Sequence, residues 1–181
     1  MKPLVFEESG FRIEAPAPAF RLGETAAYRP LSGRSLREMD LGWIGTSSKG
    51  QPQLLLLEVK GREVWNTVPD DVTKPHEHLV RGYVEKANDT LLMLAAASVP
   101  TPWGGELARE VPVPFQAFLH STALKLVFLI DIPEKTRELL GPVRDEINRR
   151  LSGRVGLFSL KSVSVIDFVS AQKMGLPVSR L

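Results

Sequence analysis

Hydrophobic residues alternate with polar ones near the start of the chain, and a helical period stands out over residues 79–94. Leu4-Val5-Phe6-Glu7-Glu8 and Phe11-Arg12-Ile13-Glu14 flank Ser9-Gly10 and predict a short hairpin. Ala15-Pro16-Ala17-Pro18 reads as a stiff extended connector. Residues 20–35 show no clear period, and residues 23–28 are compatible with one helical turn. Two further strands are predicted over about 36–45 and 53–60, joined by the polar, turn-rich stretch 45–52. Leu54 to Leu57 is apolar on both faces, which marks a strand central in its sheet.

From Pro75, a residue favoured in the first helical turn, Leu79, Tyr83, Ala87, Leu91 and Leu94 recur at spacings of three and four and predict a long helix to about Ala97. Pro100, Pro102, Pro112 and Pro114 make 100–116 a long loop or exposed extended segment. Leu124 to Ile130 predicts another buried strand. Residues 133–151 read as helical, with a break at Gly141-Pro142. A last strand over 158–166 and a closing helix over 167–174 complete the order. Strands, helix, strand, helix, strand predict an α/β sandwich: a mixed central sheet flanked by helices. Length favours a single domain, 1–181.

The charges within the second strand pair point to chemistry. Residues i and i+2 of a strand face the same way, so Glu58 projects with Lys60, and Glu38 with Asp40. A hairpin brings Asp40, Glu58 and Lys60 together. Two carboxylates and an ammonium side by side are costly to bury unless they bind something. A divalent metal and a phosphate suit them: Mg²⁺ takes hard oxygen ligands, and an ammonium stabilises phosphate charge.

Composition narrows the class. Hydrophobic residues at 43% and charged residues at 24% are ordinary for a globular protein. A net charge of +2 is too weak alone to require a nucleic-acid partner. With no cysteine, disulfides and thiolate metal sites are excluded, and a reducing cytoplasm is the expected location. No signal-peptide pattern and no long apolar run is present, so no membrane partner is expected.

Asp40, then Glu58-Val59-Lys60, then a long helix resembles the PD-(D/E)XK nuclease superfamily over about residues 36–97. Glu38-Met39-Asp40-Leu41 and Leu55-Leu56-Leu57-Glu58-Val59-Lys60 look like the signatures of its resolvase-like and nuclease-related-domain members, although Met39 stands where proline is common. The resemblance implies a restriction-endonuclease-like fold and Mg²⁺- or Mn²⁺-dependent hydrolysis of phosphodiester bonds, in DNA. Asp40 and Glu58 would be metal ligands together with the Val59 carbonyl, and Lys60 the catalytic ammonium. The alternative is an inactive binding or assembly module on the same fold, acting as a homodimer or in a larger complex.

Arg62, Lys74 and Arg81 are the candidate contacts to the nucleic-acid backbone, with Lys86 beside them. Arg81 and Lys86 also neighbour Glu77, Glu85 and Asp89, which equally suits a solvated mixed-charge face. His76 and His78 are two apart on a helix and face different ways, which disfavours a shared metal. A solvated helix start or a phosphate contact are their two readings. Trp65 and Trp103 read as loop anchors or as stacking platforms for a base. Arg149, Arg150 and Arg154 cluster at a helix end, where the helix dipole favours them.

Overall fold

The computed structural model describes residues 3–47, 49–65, 77–111 and 123–181. Among these, strands form a five-stranded mixed sheet and a three-stranded sheet, and helices cover one face of the larger one. The N-terminal hairpin forms as its alternation predicts, β1 (Leu4–Glu8) against β2 (Phe11–Ala15). Ser9 and Gly10 turn it with φ of 51° and 80°, a left-handed pair that glycine adopts without cost. β3 (Ala19–Phe20) follows, then a 3-10 turn at Leu22–Glu24 and a short helix α1 (Arg29–Ser32).

β4 (Leu41–Thr46) and β5 (Pro52–Lys60) are antiparallel neighbours. The expected strand over 36–45 is corrected here, since only its second half is strand. The backbone N–H groups of Arg37 and Met39 donate to the side chains of Asp89 (3.0 Å) and Thr90 (2.8 Å) instead of to a strand partner. Those donors are satisfied by the following helix, so residues 36–40 lie across it rather than in the sheet. Glu38 and Asp40 are therefore not strand neighbours. Asp40 directly precedes β4, and continuing the register past Leu41↔Leu57 sets it across from Glu58.

β5 leads into a 3-10 turn at Arg62–Trp65, and the described chain resumes at α2 (Glu77–Ala97). The expected helix start at Pro75 lies outside the described residues. The expected loop over 100–116 is also corrected: Pro102–Glu110 is a helix, α3. Thr101 caps it, its hydroxyl accepting from the Gly104 N–H at 3.0 Å. Pro102 occupies the first turn, where its missing N–H has no partner to lose, so proline starts this helix rather than marking a loop. Pro112 and Pro114 lie outside the described residues.

β6 (Ala123–Ile130) returns parallel to β5. A 3-10 turn at Glu134–Leu139 precedes α4 (Leu140–Gly156), so Gly141-Pro142 falls in the first turn of a helix longer than expected. Val143, Ile147, Leu151 and Val155 make its buried stripe at spacing four. The expected last strand over 158–166 shortens to β7 (Ser164–Asp167). Ser159, at φ 59°, turns the chain off the helix end, and Asn148 holds Val163 through both its backbone groups (2.8 and 3.3 Å). Asp167 caps α5 (Phe168–Lys173), accepting from the Ser170 N–H at 2.7 Å. β8 (Val178–Arg180), which the alternation did not predict, pairs with β2.

Strand order in the large sheet is β3-β4-β5-β6-β7, with β5 central as its two-faced hydrophobicity requires. Leu54 and Leu56 pack under α2, α3 and α4, while Leu55, Leu57 and Val59 pack toward the small sheet and α5. Burying each such side chain contributes roughly 1.5–3 kcal/mol. Glu58 continues the Leu54-Leu56 face and is fully buried beneath α2.

Candidate functional site

Asp40 is fixed by the edge of the sheet. Its Oδ2 accepts the Val59 N–H at 2.7 Å, taking over where the β4 ladder ends. Arg21 donates to its backbone carbonyl at 3.3 Å, and the Thr90 bond to Met39 anchors the residue before it. Across the strand pair, Glu58 carries its carboxylate into the same space. Asp40, Glu58 and Lys60, separate in sequence, meet at one end of β5.

A fourth side chain joins them. Lys86 of α2 places its Nζ 3.1 Å from Asp40 Oδ1 and 2.7 and 2.9 Å from Glu58 Oε1 and Oε2. Lys60 Nζ lies 2.8 Å from Glu58 Oε1. Both ammonium groups therefore crowd onto Oε1, the oxygen of Glu58 that lies between them. The Tyr83 ring packs edge-on against Phe128 at 4.7 Å, and its buried hydroxyl has no hydrogen-bond partner among the described residues.

The electrostatics follow from burial. Desolvation and the neighbouring Asp40 push the Glu58 carboxyl up to about 7, against the opposing pull of Lys86 and Lys60. Burial alone would lower Lys86, but Glu58 and Asp40 outweigh it and hold its ammonium charged. Burial, then Glu58 and Asp40, raise the Tyr83 phenol well above its ordinary value. Removing one partner of such a buried pair costs about 3–5 kcal/mol, because the other charge is stranded.

Two clefts border this cluster. One, of about 440 Å³, is lined by Lys60, Lys86, Arg37, Arg81 and His78, with Glu63, Val64 and Leu79 among its other walls. The second, of about 290 Å³, is lined by Glu8, Glu24, Glu38 and Asp40 together with Arg21 and Gly23. Arg21 pairs with Glu8 and lies 3.9 Å from Glu24.

The donor set suits a hard cation in part. Among the described residues no three His, Asp or Glu side chains converge as ligands. Two carboxylates from adjacent strands are the kind of donors Mg²⁺ takes from a protein when phosphate and water complete its shell. The Lys86 ammonium now holds the oxygens such an ion would take. Asp40 and Glu58 are the residues that would hold such an ion, and they could do so only with that ammonium elsewhere.

The remaining expected residues divide. Arg81 lines the basic cleft and lies 3.8 Å from Glu85. Arg62 is drawn to Asp131 at 3.4 Å, an acid that Arg180 also holds at 2.7 Å. Lys74 and His76 lie outside the described residues, while His78 lines the basic cleft. Val59 engages Asp40 through its N–H, and its side chain is core. Trp103 is an anchor in α3, donating to the Ala27 carbonyl at 2.8 Å, and Trp65 is buried. Arg149 and Arg150 are paired with Glu146, and Arg150 also with Glu77.

The sequence sets Lys86 only among the flanking backbone contacts, and it gives Thr90 no role. Their signal lies in the helix period: 79, 83, 86 and 90 fall at spacings of four, three and four, so a lysine and a threonine share the stripe of Leu79 and Tyr83. Comparison of the chain with known protein families, curated proteins and solved structures finds no match.

Proposed function

We propose that this chain is a metal-dependent nuclease of restriction-endonuclease-like fold, hydrolysing phosphodiester bonds in DNA in the cytoplasm. One observation carries the reading. Asp40, Glu58 and Lys60 converge at the end of β5, and Lys60 opens on a cleft walled by Arg37, Arg81 and Lys86. Buried carboxylates suit a cation, and a basic cleft beside them suits a phosphate.

Asp40 and Glu58 are the residues that would hold Mg²⁺ or Mn²⁺, with the Val59 carbonyl as a further donor by resemblance. When bound, such an ion polarises a phosphate oxygen and makes its water more acidic. Lys60 is positioned by Glu58 and directs its charge toward the cleft, where it would stabilise negative charge on the phosphate in the transition state. Arg37 and Arg81 would hold the flanking backbone through charge-assisted hydrogen bonds. Tyr83 and Phe128, both buried and in ring contact, pack beside Glu58.

The second reading is a binding module without catalysis, and Lys86 favours it, since its ammonium already pairs with both carboxylates. Cleavage separates the two. Single-stranded, duplex and branched DNA, and RNA, are incubated with the chain and either metal. Lys60→Ala should lower cleavage by about 10²-fold or more while the metal-induced rise in Tm persists. Asp40→Asn should abolish that rise. A wild-type chain that cuts none of these substrates leaves the binding module as the account.

A further inference from the structure

The groups around Lys86 are sorted by charge. Asp40 borders the cleft lined by Glu8, Glu24 and Glu38, whereas Lys86 and Lys60 border the cleft lined by Arg37 and Arg81. Lys86 reaches from α2 through a flexible four-carbon stem, and its Nζ stands 2.7 Å from Glu58 and 3.1 Å from Asp40. A divalent ion would need the same oxygens at about 2.0–2.1 Å, and two cations cannot share that space. The basic cleft, at about 440 Å³, has ample room for an ammonium, and Lys86 already forms part of its wall. The four rotatable bonds of the stem are what would let the charge pass from the carboxylates to that cleft. Lys60 stays 2.8 Å from Glu58 Oε1, so the buried carboxylate keeps one ammonium partner when Lys86 leaves.

Resting on the nuclease reading, we propose that Lys86 is the resident counter-cation of this site, which a divalent metal ion entering by the acidic cleft displaces into the basic cleft to bind a phosphate group there. Lys86 then serves two sites in turn. With its ammonium on the carboxylates, it shields Glu58 and opposes metal. With its ammonium in the cleft, it adds a positive charge beside Lys60 and Arg81. Phosphate in the cleft holds Lys86 away from the carboxylates and so favours metal, and by linkage metal favours phosphate to the same degree.

Titration calorimetry of Mn²⁺ into the full chain and into Lys86→Gln tests this, since glutamine keeps a hydrogen-bond donor and removes the charge. Mn²⁺ affinity should rise about tenfold or more in the variant, because the competing state is gone. Inorganic phosphate should tighten Mn²⁺ binding in the wild type and do so less in Lys86→Gln. An unchanged or weakened Mn²⁺ affinity in a folded variant overturns the proposal. If the variant does not fold, the wild-type chain decides by amine acylation read by mass spectrometry. Millimolar Mn²⁺ should raise the reactivity of Lys86 several-fold while exposed Lys161 stays constant, and an unchanged Lys86 overturns the displacement. Tightened Mn²⁺ binding without cleavage of any nucleic acid supports displacement and rejects the nuclease. Cleavage with equal Mn²⁺ affinity in both chains does the reverse.

Discussion

Glu58 is fully buried on a central strand, beside a second carboxylate and between two ammonium groups. The unfolded chain releases this proton near 4.5, whereas burial and Asp40 hold it in the folded chain up to about 7. Between those values the folded state binds more protons than the unfolded one. Stability from this group is therefore present at low pH and declines as pH rises through the window, by about 1.4 kcal/mol per unit at most. Glu58→Gln cannot titrate, so its stability should run flatter with pH than that of the wild type between about 4.5 and 7. Urea melts across that window check this. Parallel curves would mean that Glu58 does not carry the burial cost its position implies.

At the scale of elements, α2 does more than cover the sheet. It supplies Lys86 to the carboxylates, Tyr83 to the packing beside Glu58, and the side chains of Asp89 and Thr90 to the backbone of residues 37 and 39. The Thr90 hydroxyl is fully buried and is the partner of a buried N–H. Thr90→Val keeps the shape and strands that donor, which should cost about 1–3 kcal/mol. Because Met39 precedes Asp40, the same variant should also weaken metal binding. Thermal melts with and without Mn²⁺ read both effects. A loss of stability with metal affinity intact would show that the segment positions Asp40 by its sheet contacts alone.

For the whole molecule, the net charge of +2 conceals an uneven distribution: four basic side chains and Glu63 line one cleft, four carboxylates and Arg21 another. Attraction to nucleic acid should thus be local. If about three phosphates are neutralised in the basic cleft, log K should fall against log salt with a slope of about −2 to −3. Arg81→Glu should weaken binding to all sequences alike and make that slope shallower by about one or more. Fluorescence anisotropy with labelled oligonucleotides across a salt series measures this, and affinity indifferent to salt would point to a protein partner. No helix among the described residues is long and apolar enough to cross a membrane.

Local pattern was enough for the strands and helices whose periodicity reports their burial. The alternation around Ser9-Gly10, the two-faced run Leu54 to Leu57 and the stripe Leu79-Tyr83-Ala87-Leu91-Leu94 each state which face turns inward, so β1, β2, β5 and the body of α2 were legible. Spacing two along β5 likewise set Glu58 and Lys60 on one face. It failed where a long-range partner replaced a local one. Residues 36–40 look like strand, yet their N–H groups find side chains about fifty positions later. Pro102 looks like a loop signal until Thr101 caps a helix around it. Lys86 reads as one of several surface charges on α2. Only the packing of that helix over the end of β5 turns it inward, because a buried Glu58 and a half-buried Asp40, both far off in sequence, need whatever cation the fold brings within reach.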